Sequence, residues 1–217
     1  MASYVEGLGR SGYVWLRGAL SEDQLGVLEA VFDGPGARHA VGARVPWVAM
    51  VVDALRAAAP CLIGAHRAVR IVAFDKSKRQ NWAIPWHQDR VIAVASRAAC
   101  PGFRNWTNKA GIWHCEPPVA LLKRMLFVRV HIDDCDSSNG AMSIAEGSHA
   151  AGLVRGQDGA EVASRYMDVS CDARRGDVQV LDMLTLHRSP AAVDGMQRRA
   201  LRIDLADFDL PAPLNWA

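Results

Sequence analysis

The sequence lacks the features of a membrane or secreted protein. No apolar run approaches the roughly 20 residues that a membrane-spanning helix needs, and Met1 to Glu6 shows neither the basic nor the apolar region of a signal peptide. An excess of one charge is also lacking, because 25 Lys and Arg against 23 Asp and Glu leave a net charge of +2. That is too little for a protein that coats nucleic acid or anionic lipid. We therefore expect a soluble cytoplasmic protein without nucleic-acid or membrane partners.

Cysteine pairs that would indicate a disulfide framework or a thiolate zinc site are missing as well. The five cysteines are odd in number, widely scattered and contain no Cys-x-x-Cys pair, so we expect them to be small buried residues. The sequence also has no internal repeat and no low-complexity linker. With 217 residues, half of them hydrophobic, the chain can bury a full core, and we expect one domain over residues 1–217.

Helical patterns are confined to the N-terminal part, about residues 20–60. Ser21 and Gln24 form a predicted capping box, followed by apolar residues at helical spacing, and Gly34-Pro35-Gly36 is expected to end this helix. Pro46 suits the first turn of a second helix, which Pro60 closes. Two helices are therefore predicted to precede the rest of the fold.

Between about residues 68 and 210, apolar residues recur at every second position, as in a β-strand, rather than at helical spacing. Strands are predicted near residues 69–74, 126–132, 141–145, 177–181 and 199–205, each bounded by turn-forming residues. Helices followed by strands predict a mainly β fold, a sandwich or jelly roll with the N-terminal helices packed on the larger sheet.

Three of these strands alternate between an apolar and a polar set of side chains. The apolar set, such as Val69, Ile71 and Ala73, is expected to face the helices. The other set faces either solvent or a polar, cationic cavity, and it consists of Arg70, Arg129, His131, Arg198, Arg202 and Asp204.

A candidate metal site begins at His87 and Asp89, which are two residues apart and therefore point to the same side of an extended segment. This pair alone is common by chance, but about a hundred residues later a predicted strand leads to His187. Two histidines and one carboxylate on one face of an ion leave three positions open, which suits non-haem Fe(II) and dioxygen. Zinc would more readily take a tetrahedral site with a thiolate or a third imidazole.

The residues that follow His187 make the pattern more specific. Together with the His-x-Asp pair, Arg188-Ser189-Pro190 and Gln197 to Arg202 resemble the phytanoyl-CoA dioxygenase family of Fe(II)- and 2-oxoglutarate-dependent oxygenases. Similar stretches elsewhere are Gly12 to Ser21, Phe74 to Ser77 and Gly147 to His149. The resemblance implies a double-stranded β-helix that binds Fe(II), 2-oxoglutarate and dioxygen.

The resemblance also implies a cosubstrate site. In the family, an Arg eleven residues after the distal His holds the far carboxylate of 2-oxoglutarate, and a hydroxyl two residues after that His assists; here these are Arg198 and Ser189. Arginine suits this role because it is a fixed, bidentate cation. Arg129 replaces a frequent aromatic residue and is expected to contact either cosubstrate or substrate. Val72 and Asn81 are further cosubstrate candidates.

The aromatic-rich segment 102–118 is predicted to be a lid or binding loop, or alternatively a packed loop without a ligand. Its substrate candidates are Lys109, Trp113 and His114, and His131 is expected to line the pocket. Arg70, Arg129 and Arg202 favour a carboxylated or phosphorylated small-molecule substrate, unless their charge is paired internally, for instance with Asp204.

The expected activity is hydroxylation of an unactivated C–H bond, with release of succinate and carbon dioxide. A halogenase of this fold normally has a small residue at the carboxylate position, so Asp89 argues against chlorination. A cupin-like metal isomerase or lyase and an inactive jelly-roll binding module remain as alternatives. The sequence carries no signal for the oligomeric state.

Overall fold

The computed structural model describes residues 4–33, 38–41, 45–193 and 196–217. Within these ranges, six α-helices precede or connect the strands: α1 Tyr4–Ser11, α2 Glu22–Glu29, α3 Pro46–Ala58, α4 Pro60–Ile63, α5 Val119–Leu122 and α6 Gly159–Ala163. The strands are β1 Tyr13–Leu16, β2 Arg38–Val41, β3 Arg67–Lys76, β4 Ile84–His87, β5 Ile92–Val94, β6 Arg104–Lys109, β7 Ile112–Glu116, β8 Met125–His131, β9 Ser143–Ala145, β10 Asp168–Ser170, β11 Val178–Asp182, β12 His187–Ser189 and β13 Arg198–Ala206.

The strands form three antiparallel sheets. The major sheet has the order β1-β11-β8-β13-β3-β2, the minor sheet the order β10-β9-β12-β4, and a small third sheet the order β5-β7-β6. Side chains from β3, β8 and β13 of the major sheet meet side chains from β4 and β12 of the minor sheet around one pocket. The two larger sheets therefore face each other as in a jelly roll, which confirms the predicted fold class.

The N-terminal helices cover the outer face of the major sheet, as predicted. Leu25 and Leu28 of α2, with Val51 and Leu55 of α3, pack in one core with alternate residues of the central strands. The capping box is confirmed: the Ser21 hydroxyl accepts from the Gln24 amide, and the Gln24 side chain accepts from the Ser21 amide.

Other helix boundaries differ from the prediction. The periodicity gave no sign of α1, and Pro60 begins the short helix α4 rather than only ending α3. The predicted stop at Gly34-Pro35-Gly36 lies outside the described residues. Within the described ranges, no helix is both long and apolar enough to cross a lipid bilayer.

A β-bulge changes the face on which Val69 lies. In the pairing of β3 with β13, Arg70 is opposite Asp204 and Ala68 is opposite Leu205, so Val69 is an extra residue without a partner. Val69 consequently packs in a second hydrophobic core, which lies on the inner side of the sheet. Ala68 instead packs against the first core, which the helices cover. The expectation that Val69 shares the face of Ile71 was therefore wrong.

The segment predicted as a lid or binding loop is largely a hairpin. Strands β6 and β7 pair with each other around a tight turn at Ala110 and Gly111, and β7 also pairs with β5. Phe103, Trp106 and Trp113 pack in the second hydrophobic core. These pairings give the segment a structural role in the third sheet.

Candidate active site

The three predicted metal ligands meet in the minor sheet. His87 ends β4 and His187 begins β12, and the antiparallel register places these two residues directly opposite each other. Their ring centroids are 4.2 Å apart, and His187 Nε2 lies 3.1 Å from Asp89 Oδ2. One ligand atom from each of the three residues lies within 4.8 Å of the others, so a single ion can contact all three.

Both imidazoles are held in the orientation that a metal ligand needs. The Nδ1 atom of His87 lies 2.8 Å from the Pro85 carbonyl oxygen, and that of His187 lies 2.9 Å from the Thr185 carbonyl oxygen. A proton on each Nδ1 satisfies these carbonyls, which leaves the lone pair of Nε2 for the ion. Burial, reinforced by His187, lowers the pKa of His87 to about 4, which favours the neutral ligand form.

The carboxylate of the triad is kept ionised by Arg202. Burial alone would raise the pKa of Asp89, but the Arg202 guanidinium, together with the imidazoles of His187 and His87, outweighs that effect and holds the pKa well below its usual range. Arg202 forms an ion pair with Asp89, and its Nε also donates to Asp204 Oδ1 over 2.6 Å. Arg70 reaches the other oxygen of Asp204 at 3.3 Å. The charges of Arg70 and Arg202 are thus paired internally, which was the alternative to their predicted substrate role.

A second group of cations lies beside the triad and has no such pairing. Arg198 and Arg129 line the same pocket, and Lys76 packs behind Ser189 at its edge. All three are buried, with exposed fractions of 2%, 7% and 0% respectively. Among the described residues, no carboxylate forms an ion pair with any of them, and the Nε atoms of Arg129 and Arg198 are buried without a hydrogen-bond partner. An anion bound beside these buried cations would offset their repulsion and desolvation.

Ser189 lies between two of these cations, Lys76 and Arg198. Its Oγ accepts a hydrogen bond of 2.9 Å from Lys76 Nζ and a longer one of 3.4 Å from Arg198 Nη2. Arg199, the neighbour of Arg198, points away and pairs with Asp133 at 2.7 Å. The alternation of β13 thus separates a pocket arginine from one on the helix-covered face, where Arg199 also reaches Glu29 of α2 at 3.5 Å.

Sequence reasoning did not single out Lys76, although a signal was present. Lys76 has the same parity along β3 as Arg70, Val72 and Phe74, and the register places it opposite Arg198. Extending the predicted strand by two residues beyond Phe74 would have put a lysine on the cavity face.

The remaining cosubstrate candidates lie outside the pocket. Val72 is buried on the inner face of β3 between Arg70 and Phe74 but does not line the pocket. Both polar atoms of the Asn81 amide are used on the backbone of Ala192, at 2.7 and 2.9 Å. Asn81 therefore fixes the segment after β12, and its neighbour Trp82 lines the pocket instead.

Of the predicted substrate contacts, Arg202 lines the pocket, whereas the three in segment 102–118 and His131 do not. Lys109 is exposed at the end of β6, Trp113 packs in the second core, and His114 is buried with its Nδ1 3.0 Å from the Ile112 carbonyl oxygen. His131 is fully buried against Trp15, at a ring distance of 5.7 Å, and both its ring nitrogens lack a hydrogen-bond partner. Strand pairing and core packing, which the sequence pattern did not show, account for these positions.

The chemistry of the site fits the groups that the sequence predicts for it. Two imidazoles and one carboxylate with free faces match an Fe(II) site with open positions. The unpaired arginines, the hydroxyl of Ser189 and the ammonium of Lys76 match a carboxylate-bearing ligand that lies beside the ion. The rest of the wall is mainly apolar, formed by Phe74, Trp82, Ile84, Phe127 and Met142.

Comparison with known families agrees with this geometry. A family model described as phytanoyl-CoA dioxygenase (PhyH) matches residues 9–200, which is most of the chain. The chain belongs to the phytanoyl-CoA dioxygenase family. The resemblance inferred from the His-x-Asp pair and the residues around Ser189 and Arg198 is thereby confirmed. A comparison with curated proteins gives no match.

Solved structures show the same fold at low sequence identity. AviO1 from Streptomyces viridochromogenes Tue57 is 19% identical with a TM-score of 0.65, and the match covers 96% of this chain and 95% of AviO1. The non-haem α-ketoglutarate-dependent carbocyclase SnoK is 18% identical with a TM-score of 0.66, covering 95% and 83%. The epimerase SnoN, in complex with Fe3+, α-ketoglutarate and nogalamycin RO, is 15% identical with a TM-score of 0.66, covering 92% and 80%. The phytanoyl-CoA dioxygenase family member described here thus shares a jelly-roll fold with these proteins.

Proposed function

We propose that this protein is an Fe(II)- and 2-oxoglutarate-dependent dioxygenase that hydroxylates an unactivated C–H bond of a small molecule. The observation that carries the proposal is one pocket in which the His87, Asp89 and His187 triad lies beside buried cations without carboxylate partners. A metal site alone would also suit a cupin-like isomerase or lyase. The adjoining anion site supports a dicarboxylate cosubstrate.

His87, Asp89 and His187 would hold the iron, and Arg202 maintains the negative charge of Asp89 before the ion arrives. When bound together, iron and 2-oxoglutarate supply the oxidising chemistry by which dioxygen converts the cosubstrate to succinate and carbon dioxide and hydroxylates the substrate. The protein's own contribution is to position both groups and to keep the site dry.

Arg198 and Ser189 would bind the carboxylate of 2-oxoglutarate that is remote from the iron. Arg129 adds a third donor group on the same wall, and its unpartnered Nε is available to this anion. The apolar wall of Phe74, Trp82 and Met142 limits access of water to the reacting atoms.

We propose a small-molecule substrate. The structure gives less reason than the sequence to expect a negative charge on this substrate. Of the three cations that favoured an anionic substrate, Arg70 and Arg202 are paired with Asp204. Arg129 alone lacks a carboxylate partner, and we assign it to the cosubstrate.

Iron content provides the direct test of the ligands. We expect the His87→Ala and His187→Ala proteins to retain much less iron than the wild type after anaerobic loading and desalting. His66→Ala is the matched control, because His66 contacts the Ile63 carbonyl far from the site. Unchanged iron stoichiometry in both ligand variants would contradict the assignment.

The reaction type is tested by a substrate screen scored by succinate release, followed by mass analysis of the product. Hydroxylation adds one oxygen atom, epimerisation leaves the mass unchanged, and oxidative cyclisation removes two hydrogens. The latter two are the activities in the names of SnoN and SnoK. A product without added oxygen would overturn hydroxylation while leaving the cosubstrate assignment intact, and no succinate with any substrate would favour the lyase or binding-module alternatives.

A further inference from the structure

Lys76 occupies an unusual place for a lysine. It lies at the end of β3, is fully buried, and donates hydrogen bonds to Ser189 Oγ over 2.9 Å and to the Pro190 carbonyl oxygen. Its ammonium also lies 5.4 Å from the centre of the Trp82 ring. Trp82, Ser189 and Arg198, which is opposite Lys76 in the sheet, all line the pocket.

The contacts of Lys76 determine which way the Ser189 hydroxyl can donate. A serine hydroxyl has one proton and two lone pairs. Lys76 Nζ and Arg198 Nη2 approach Ser189 Oγ at 2.9 and 3.4 Å, so both lone pairs face donors. The hydroxyl proton is therefore left to donate, and its nearest acceptor in the protein, the Gly140 carbonyl oxygen, is distant at 3.5 Å. A carboxylate in the pocket would be a better acceptor.

The charge of Lys76 also needs a counter-ion. Lys76 and Arg198 both contact Ser189, and Arg129 lines the same pocket, so the mutual repulsion and desolvation of three buried cations are costly without an anion. Burial, followed by the charges of Arg198 and Arg129, lowers the pKa of Lys76 to about 7. A bound carboxylate would reverse that effect and keep the ammonium protonated.

We propose that Lys76 is a positioning residue for the carboxylate of the cosubstrate that is remote from the iron: it orients Ser189 as a donor and adds positive charge behind it. The identity of this ligand as 2-oxoglutarate rests on the proposed function. The geometry of Lys76, Ser189 and Arg198 requires only a carboxylate.

The test compares two ligands that differ only in the remote group. 2-Oxoglutarate and 2-oxopentanoate have the same keto acid end, but the second ends in a methyl group. We expect Lys76→Met to weaken 2-oxoglutarate binding to the anaerobic Fe(II) protein by roughly 10- to 100-fold, as for loss of a charged hydrogen bond, and to leave 2-oxopentanoate within about twofold. Equal weakening of both ligands, or of neither, would overturn the proposal.

Matched variants separate this role from a general effect on structure. Lys78→Met removes the same charge from an exposed lysine two residues away and is expected to change neither affinity. Lys76→Arg keeps the charge and is expected to recover part of the preference for 2-oxoglutarate. In a Ser189→Ala background, Lys76→Met should reduce 2-oxoglutarate affinity clearly less than it does in the wild type, because the hydroxyl that Lys76 contacts is already absent. Fully additive losses would contradict action through Ser189.

Glutarate separates failure of this proposal from failure of the proposed function, since it has both carboxylates but no keto group with which to chelate iron. We expect glutarate to raise the melting temperature of the metal-free wild type more than that of Lys76→Met. If glutarate stabilises the wild type more than Lys76→Met but 2-oxoglutarate does not bind to the Fe(II) protein, the proposed role of Lys76 is supported and the oxygenase function is overturned. Equal shifts of the melting temperature in the two proteins would overturn the proposed role of Lys76 alone. No shift in either protein, together with no 2-oxoglutarate binding, would overturn both this role and the oxygenase function.

Discussion

At the scale of single residues, two kinds of arginine share the inner face of the major sheet. Arg202 forms ion pairs with Asp89 and Asp204, whereas Arg198 and Arg129 lack carboxylate partners among the described residues, and we propose that these two bind the cosubstrate. Alternation along β8 and β13 predicted that all three face inward. It could not predict which would be paired, because pairing depends on the register of β13 against β3 and on the path of the chain after His87.

Loss of Arg202 is expected to destabilise the metal-free protein. Arg202→Met leaves Asp89 and Asp204 buried without their shared cation, and breaking a buried pair in this way costs about 3–5 kcal/mol. Urea unfolding measures the change. Arg188→Met is the matched control, since Arg188 pairs with Asp168 at the surface and such pairs contribute about 0–1 kcal/mol. Equal losses in the two variants would contradict a special role for Arg202.

Binding of 2-oxoglutarate is expected to weaken as the pH rises above about 7. The groups facing Lys76 are Arg198 from β13, Arg129 from β8 and Cys135 beyond β8, and burial with the two arginines lowers the pKa of Lys76 to about 7. A bound carboxylate favours the protonated lysine, so binding takes up a proton above that pH. Calorimetry from pH 6 to 9 should show this loss of affinity in the wild type and a smaller one in Lys76→Met.

The lowered pKa of Lys76 gives folding stability the opposite pH dependence to that of 2-oxoglutarate affinity. Unfolding restores the pKa of Lys76 to its ordinary value of 10.5, so the unfolded state binds more protons between about pH 7 and 10.5, and this lysine's contribution to stability rises over that range. The unliganded wild type should therefore gain stability relative to Lys76→Met as the pH increases. Identical pH slopes for the two proteins in both measurements would contradict a buried, charged Lys76.

At the scale of elements, the segment after β12 connects the metal site to the anion site. Ser189 is the last residue of β12, Pro190 accepts from Lys76, and Ala192 is held by Asn81. Asn81 was a cosubstrate candidate alongside the family resemblance. Its amide instead fixes this segment, a role that only the contacts reveal.

Gly140 keeps this segment in place, and its replacement should disturb the anion site. Gly140 has φ +76, and a Cβ there would lie 2.7 Å from the Pro190 carbonyl oxygen and 3.0 Å from the Ala192 nitrogen. Gly140→Ala is therefore expected to weaken 2-oxoglutarate binding by at least about tenfold by displacing Pro190 and Ser189. An affinity equal to that of the wild type would contradict this link.

Gly111→Ala is the control for backbone strain. Gly111 has φ +84 at the turn between β6 and β7, but a Cβ there would meet no atom within 4 Å. The positive φ alone is expected to cost about 1–2 kcal/mol of stability, measured by urea unfolding, and to leave 2-oxoglutarate affinity unchanged.

At the scale of the whole molecule, the pattern of the sequence predicted the helices α2 and α3, the four central strands of the major sheet and strand β9 of the minor sheet, but not the other strands of these two sheets. Helical spacing before residue 60 and alternation after residue 68 predicted a jelly roll with helices on the major sheet, and the spacing of His87, Asp89 and His187 predicted a metal triad. The third sheet was not predicted, because β5 is an apolar run of only three residues, and β6 and β7 mix aromatic and polar residues without clear alternation. We propose that the helices and sheets act as one domain.

We propose that iron and 2-oxoglutarate bind together in the pocket between the two larger sheets. An anaerobic titration of 2-oxoglutarate into the Fe(II)-loaded protein tests this, recorded as the weak visible charge-transfer band of a chelated keto acid. We expect a saturable band in the wild type, a higher half-saturation concentration in Arg198→Ala, and no band in His187→Ala. A well-folded, iron-loaded wild type without the band would contradict the assignment of this protein as a 2-oxoglutarate-dependent oxygenase.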